Sequence, residues 1–185
     1  VLAESYTLSP NGKIYTFTLR EDAKFTDGTP VTAQDVVFTV RKAQDSALKS
    51  PEYANWSGVS VSAVDTRTVR FTLAKPYAPF LGITTLGILP SRLWERLSNE
   101  EFPFSNLEMN PVGAGPFKVV DVSRDASGLV KSVSLSANSE SALGRPYLDS
   151  IRLDFYSRAE DLAAAVKSGA VESAYDVLTK GALTA

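Results

Sequence analysis

Four carboxylates could in principle serve acid–base chemistry, because Glu100, Glu101, Asp121 and Asp125 all lie in polar stretches of this 185-residue sequence. Such chemistry needs two carboxyl groups held at a fixed separation in a cleft. The loop-like surroundings of all four predict solvated surface groups instead. Gly113-Ala114-Gly115-Pro116 has the glycines of a phosphate loop. A phosphate loop, however, needs free backbone amides opening into a helix, and Pro116 removes one amide ahead of a strand-like run. A structural crossover turn is the expectation. Asp27 to Asp35 contains carboxylates and a glycine but lacks the alternating ligands and closing Glu of a calcium loop. Cysteine and histidine are both absent. No disulfide, thiolate nucleophile, Cys-type zinc site or Ser-His-Asp triad can therefore be built from this chain alone. Turnover would have to rest on carboxylates, lysine or serine, with catalytic groups supplied from outside this stretch. No cofactor is called for, and Trp56 and Trp94 read as core or loop anchors in preference to ligand stackers.

The elements that would position any site follow from periodicity. Tyr15, Phe17 and Leu19 alternate with Thr16, Thr18 and Arg20, which predicts a strand with one buried and one wet face. Pro10-Asn11-Gly12 makes Leu2 to Leu8 and Ile14 to Arg20 a hairpin. Asp27-Gly28 supplies a tight turn that Phe25 would anchor, and Thr32 with Asp35 forms a capping-box start to a helix over 32–43. The stretch 46–57 reads as a loop anchored by Tyr53 and Trp56. A second hairpin runs from Val59 through Asp65-Thr66 to Leu73. Phe80 to Ile88 reads as a short buried helix or coil, and Ser91 as the cap of a helix through Leu97 with Leu93, Trp94 and Leu97 buried. Val119 and Val133 lie in a third hairpin around Asp125 to Gly128. Leu148–Phe155, a helix capped by the box Ser157 to Glu160 and stopped by Gly169, and a strand over Val171–Val177 predict a parallel βαβ unit.

Composition excludes further classes. A hydrophobic content of 44% is enough for a real core. With 19 basic against 21 acidic residues the net charge is −2, so no broad positive field draws in nucleic acid or anionic lipid. The longest apolar run, Phe80 to Leu89, is interrupted by Gly82, Thr84, Thr85 and Gly87 and is about half the ~20 residues a spanning helix needs. Zero cysteine fits export to an oxidising space.

The wording of LAESYTLSPNGKIYTFTLREDAKFTDGTPVTAQDVVFTV, at the start of the chain, closely resembles the signature stretch of extracellular solute-binding protein family 5, the oligopeptide-, dipeptide- and nickel-binding receptors of ABC importers. Tyr6 stands where the family usually has tryptophan, and Asn11-Gly12 replaces Asp-Gly. Further along, Asn110 to Phe117 resembles the family's NPxGTGPY with Ala114 in place of threonine. The run from Arg145 to Val177 is similar to its closing strand, helix and strand, with Ala170 and Glu172 replacing Glu and Asp.

The resemblance implies a mixed α/β (α+β) chain that is part of a type II periplasmic-binding-protein fold. Residues 1–90 would form an antiparallel accessory subdomain, and 91–185 an incomplete first ligand-binding lobe. Members are considerably longer than this chain, which is therefore expected to be a fragment, without its second lobe. The implied function is capture of a peptide or other small-molecule ligand by a monomer that serves ABC transporter permease subunits. The implied location is periplasmic or extracellular, with lipid anchoring to the cell membrane left open for the full-length protein. Tyr53, after Ser50-Pro51, resembles a cleft-facing tyrosine of peptide-binding members, although Glu52 is inserted. Tyr175 and Asp176 lie at the carboxyl end of the final predicted strand, where open α/β sheets place ligand crevices. Strand alternation puts Tyr175 on the side of Val171 and Val177, with Asp176 opposite. Two alternatives stay open at this point, the solute-sensing domain of a regulatory protein and a carboxylate-based hydrolase.

Overall fold

Alternating apolar residues in Ile14–Leu19 (β2) and Thr68–Leu73 (β4) place Tyr15, Phe17, Leu19, Val69, Phe71 and Leu73 on one face of a sheet. The structure, a computed structural model, describes residues 2–175. Ala3–Leu8 (β1) and Val59–Ala63 (β3) complete four antiparallel strands in the order β1-β2-β4-β3. The two Phe-Thr-Leu strands thus become the paired centre, with Tyr15 opposite Phe71 and Phe17 opposite Val69. Both predicted hairpins are present. At the first hairpin turn Gly12 takes φ +69°, and a Cβ there would meet the Pro76 Cβ at 3.2 Å. Conformation and space both demand glycine.

Ala33–Ala43 (α1) packs its apolar stripe on β3 and β4. Its start is the predicted capping box: Thr32 Oγ1 accepts from the Asp35 amide while the Asp35 carboxylate accepts from the Thr32 amide. Before it, Gly28 at φ +83° turns the chain over the buried ring of Phe25. The stretch 46–57 is more ordered than a loop. It forms a 3₁₀ turn at Ser46–Leu48 and a single helical turn, Tyr53–Trp56 (α2). Trp56 is the anchor expected, 1% exposed, whereas Tyr53, expected as the second, is 40% exposed. Phe80–Ile83 (α3) follows and buries Phe80 completely.

Ser91–Trp94 (α4) corrects an expectation. Pro90 occupies the N-cap position without a side-chain cap, and Ser91 is already inside the helix, with its hydroxyl donated elsewhere. The helix ends before Leu97, and Trp94 alone of its predicted apolar residues is fully buried.

Phe117–Arg124 (β5) and Val130–Ala137 (β6) form the third hairpin, and Ser150–Asp154 (β7) adds to β6 in the order β5-β6-β7. The Ala137 amide donates to Asp149 O and the Phe155 amide to Lys131 O, so β7 runs antiparallel to β6. Ala159–Lys167 (α5) follows. The capping box expected at 157–160 does not form. Arg158 takes the N-cap position and its guanidinium pairs instead with Asp161, a residue of the first turn, at 2.7 Å. The stop is as expected: Gly169 adopts φ +71°, its amide donates to Val166 O, and the Ala170 amide reaches Ala165 O, the paired bonds of a Schellman motif.

The strand expected over Val171–Val177 is absent from residues 171–175, and 176–177 lie outside the described residues. Among the described residues no strand lies beside these five, and 172–175 are exposed. Without a neighbouring ladder, alternation alone does not hold a strand. The parallel βαβ unit is therefore not formed within residues 2–175.

The chain divides into two compact units, Val1–Val119 with Ser136–Ser150, and Val120–Leu135 with Ile151–Ala185. The first holds an aromatic and aliphatic core built on Tyr15, Trp56, Phe71 and Phe80. In the second, Ser132 and Ala165 are the buried residues among those described, while Leu129, Leu153 and Phe155 are largely exposed. No helix among the described residues is long and apolar enough to cross a membrane.

Candidate functional site

Two of the three expected ligand residues are among those described, one in each unit. Tyr53 opens α2 in the first unit and is 40% exposed. Tyr175, in the second unit, is 95% exposed. Asp176 lies outside the described residues. Neither tyrosine lines the cavities of about 590 and 270 Å³ in the first unit.

The larger concavity lies in the first unit and was not legible in the sequence. It encloses about 590 Å³ between the sheet, α1 and the segment 84–88, with Phe17, Val40, Phe71, Leu86 and Ile88 among its walls. That volume falls within the usual range for ligand cavities of ~300–1,000 Å³. Its chemistry is narrower. No lining side chain is charged, and apart from the indole of Trp56 the polar ones are Thr84 and Thr85. Their hydroxyls donate to Leu81 O at 2.7 Å and Gly82 O at 3.1 Å, which leaves each oxygen as an acceptor only. Trp56 Nε1 has no partner, but it is sealed from solvent.

A second feature joins distant segments of this unit. Asp35 is 5% exposed, and its two carboxylate oxygens divide their work. Oδ2 accepts from the Thr32 amide and hydroxyl at 2.8 and 2.7 Å, and Oδ1 accepts from the Ser91 amide and hydroxyl at 2.8 Å each. Thr39 repeats the motif one turn on, donating to Asp35 O at 2.7 Å and accepting from the Leu89 amide at 2.9 Å. The segment 89–91 is thereby stitched along α1. Sequence reasoning found the cap and missed the stitch, because nothing local marks a partner 56 residues away. Nearby, Arg92 pairs with Asp27.

Of the four candidate acid–base carboxylates, Glu100 and Asp121 are exposed, as expected, and Glu101 and Asp125 hold local turns. Asp125 accepts from the Ser127 hydroxyl and amide at 2.5 and 2.8 Å and from the Leu129 amide at 3.1 Å, closing the β5–β6 turn. Those bonds, the Ser127 hydroxyl foremost, hold its carboxyl below the ordinary 3.8, with a smaller contribution from Lys131. Glu101 accepts from the Ser98 amide, which with the Ser98 hydroxyl lowers its pKa from 4.5. Carboxylates held ionised in this way are poor general acids. A depressed folded-state pKa means that the turn's extra stability is present above the unfolded value and is lost as pH falls through the folded one. In an NMR titration the Ser127 and Leu129 amide shifts are therefore expected to move with a midpoint below 3.8, and Asp125→Asn to abolish the transition. A midpoint at or above 3.8 would show that the turn does not hold the charge. Among the described residues, no group of three Asp, Glu, His or Cys side chains is placed to hold a metal ion.

Comparison with known proteins assigns this geometry. The family model described as bacterial extracellular solute-binding proteins, family 5 Middle, matches residues 1–184. The chain is 38% identical over 122 residues to the probable D,D-dipeptide-binding periplasmic protein DdpA of Escherichia coli K12, covering 63% of this chain and 23% of that protein. The crystal structure of NikZ from Campylobacter jejuni in complex with Ni(L-His) superposes with a TM-score of 0.79 at 28% identity, covering 92% of this chain and 33% of that one. The oligopeptide-binding protein AppA of Bacillus subtilis, in complex with a nonapeptide, gives 0.79 at 26% identity, covering 92% and 34%. The chain thus spans about a third of the solved relatives it matches. The mixed α/β fold expected from the sequence is the fold of these binding proteins. Matched along nearly its whole length and in this fold, the chain belongs to family 5 of the bacterial extracellular solute-binding proteins.

Proposed function

We propose that the whole protein is the extracytoplasmic binding component of an ABC importer, capturing peptides or similar small solutes without covalent chemistry. The observation that carries this reading is the match of residues 1–184 to the family, alongside relatives whose names record a dipeptide, a nonapeptide and a nickel–histidine complex. In this reading residues 1–90 are the accessory subdomain and 91–185 part of the first ligand-binding lobe. Solute is enclosed by closure against a second lobe. Tyr53, Tyr175 and Asp176 are the proposed contributions of this chain to the cleft. The exposure of the two tyrosines supports the assignment, since a ring committed to the core has no face left for a solute. The protein acts as a monomer in the periplasm or outside the cell, free or lipid-anchored, and hands its solute to permease subunits in the membrane.

Isothermal calorimetry against a mixed pool of di- to pentapeptides tests the reading. The whole protein is expected to bind in the micromolar range or tighter and the 185-residue chain not at all, because half a cleft buries too little of a solute. Silence from the whole protein would sink the peptide assignment. Equal binding by both would place the site within this chain and overturn the two-lobe account.

A further inference from the structure

Lys42, in the last turn of α1, is held more firmly than a surface lysine needs. Its ammonium donates to Asn99 Oδ1 at 2.9 Å and lies 5.2 Å from the ring centre of Phe102 and 5.8 Å from that of Phe38. Asn99 is fixed in turn, because its amide group donates to Asp45 Oδ2 at 2.8 Å. A cation in the last turn of a helix suits the dipole, but the dipole alone asks for no fixed side chain. Of the three ammonium donors one is engaged, and Lys42 has no ion-pair partner among the described residues.

The same lysine lines the smaller cavity of the first unit, about 270 Å³ in volume. Glu108, at the end of the 3₁₀ turn Asn106–Glu108, lines it too and likewise has no ion-pair partner among the described residues. These two are the only charged side chains of its wall, and they are opposite in sign. Most of the remaining wall is apolar, with Leu48, Leu86, Leu89 and Phe102 the largest groups. At water's ~30 Å³ share of liquid volume the space holds about nine water-sized groups, the bulk of one leucine. We propose that this cavity binds a free α-amino acid with an aliphatic side chain, its carboxylate on Lys42, its ammonium on Glu108 and its side chain against the leucines and Phe102. A simple carboxylate would meet Glu108 and a simple amine would meet Lys42, so the wall favours a molecule that carries both charges. Holding Lys42 in place beforehand lowers the entropy cost of capture. Every wall residue belongs to the first unit, and the site is separate from the two-lobe cleft. A pool of di- to pentapeptides contains no free amino acid, so either titration can fail without the other.

Amide chemical shifts of the 185-residue chain, followed by NMR as L-leucine is added, test it. Saturable changes at Lys42, Leu48, Phe102 and Glu108 are expected, with a midpoint of ~1 mM or below. The half-ligands 4-methylpentanoate, which lacks the ammonium, and 3-methylbutylamine, which lacks the carboxylate, should each bind at least about tenfold more weakly. Lys42→Met keeps an unbranched stem beside the two rings and should weaken leucine at least about tenfold without weakening the amine. Glu108→Gln should weaken leucine without weakening 4-methylpentanoate. Glu108 is exposed, so this second variant reads the site even if Lys42→Met disturbs the fold. The absence of a saturable change at ~20 mM leucine overturns the proposal. Equal affinity for leucine and its two half-ligands does so too, because the cavity would then select apolar bulk alone. Leucine binding that Glu108→Gln leaves unchanged would likewise overturn it.

Discussion

Replacing Asp35 with alanine is expected to destabilise the first unit by about 3–4 kcal/mol and to lower its melting temperature by roughly 10 °C. The size follows from what one buried carboxylate does. It accepts four hydrogen bonds, two from Thr32 at the start of α1 and two from Ser91 at the start of α4. Loss of an N-terminal helix cap alone costs ~1 kcal/mol. Each amide left buried without a partner adds ~1–3 kcal/mol, and both the Thr32 and Ser91 amides are at risk. Asp35→Asn keeps one acceptor oxygen and should fall between, because its amide group would present hydrogens to donors. Thr32→Ala removes only the reciprocal cap and should cost about 1 kcal/mol. Urea unfolding followed by tryptophan fluorescence reads the right unit, since Trp56 and Trp94 both belong to it. If Asp35→Ala costs no more than Thr32→Ala, the carboxylate is a helix cap only and the bridge to Ser91 carries nothing.

Asp35 also marks where sequence reading stops. Thr32 and Asp35 are three residues apart, and a capping box is a local pattern, so the helix start was legible. The Ser91 contact depends on how the chain returns to α1, which no local spacing encodes. The same division runs through the fold. The period-two strands 14–19 and 68–73 were legible because one face of each is buried in the core of the first unit. At 157–160 the residue types for a capping box were present, yet the Arg158 ion pair to Asp161 and an N-cap one residue later replaced it. At 171–175 alternation was present without a neighbouring strand among the described residues, and the segment stayed irregular.

The site was less legible than the fold, for a physical reason. Glycine in Asn-Gly or Asp-Gly announces a turn, and Gly12 and Gly28 meet that expectation with positive φ. Gly87 and Gly113 follow Leu86 and Val112, so no turn signal attaches to them, and what sets them apart is that both border the apolar cavity. Volume is a property of packing across segments distant in sequence, here β2, α1 and 84–88. Solute recognition is equally non-local. Tyr53 could be singled out by its resemblance and Tyr175 by its predicted strand position, but neither signal encodes which groups would face them.

The core of the first unit gives the other large expected effect. Phe80 is 0% exposed and touches three rings, with centroids 4.8 Å from Tyr15, 5.6 Å from Phe71 and 5.9 Å from Trp56. Its helix, Phe80–Ile83, is far too short to persist on intrinsic propensity, so this ring is what fastens α3 to the sheet. Phe80→Ala is expected to cost about 4 kcal/mol, through lost transfer energy and a cavity the surrounding rings cannot close. Trp56 separates packing from polar satisfaction in the same cluster. Its indole Nε1 is buried and unpartnered, a state that costs ~1–3 kcal/mol. Trp56→Phe removes that burden along with part of the ring, so the two effects offset and the net cost should stay near 1 kcal/mol. Trp56→Ala loses the whole ring and should cost about 4 kcal/mol. Equal losses for the two substitutions would mean that the indole nitrogen is satisfied in solution. A Phe80→Ala variant that unfolds at the wild-type urea midpoint would detach α3 from the core altogether. The predicted order, Trp56→Phe well below Trp56→Ala and Phe80→Ala, follows only if aromatic volume holds this unit together and the orphaned N–H works against it.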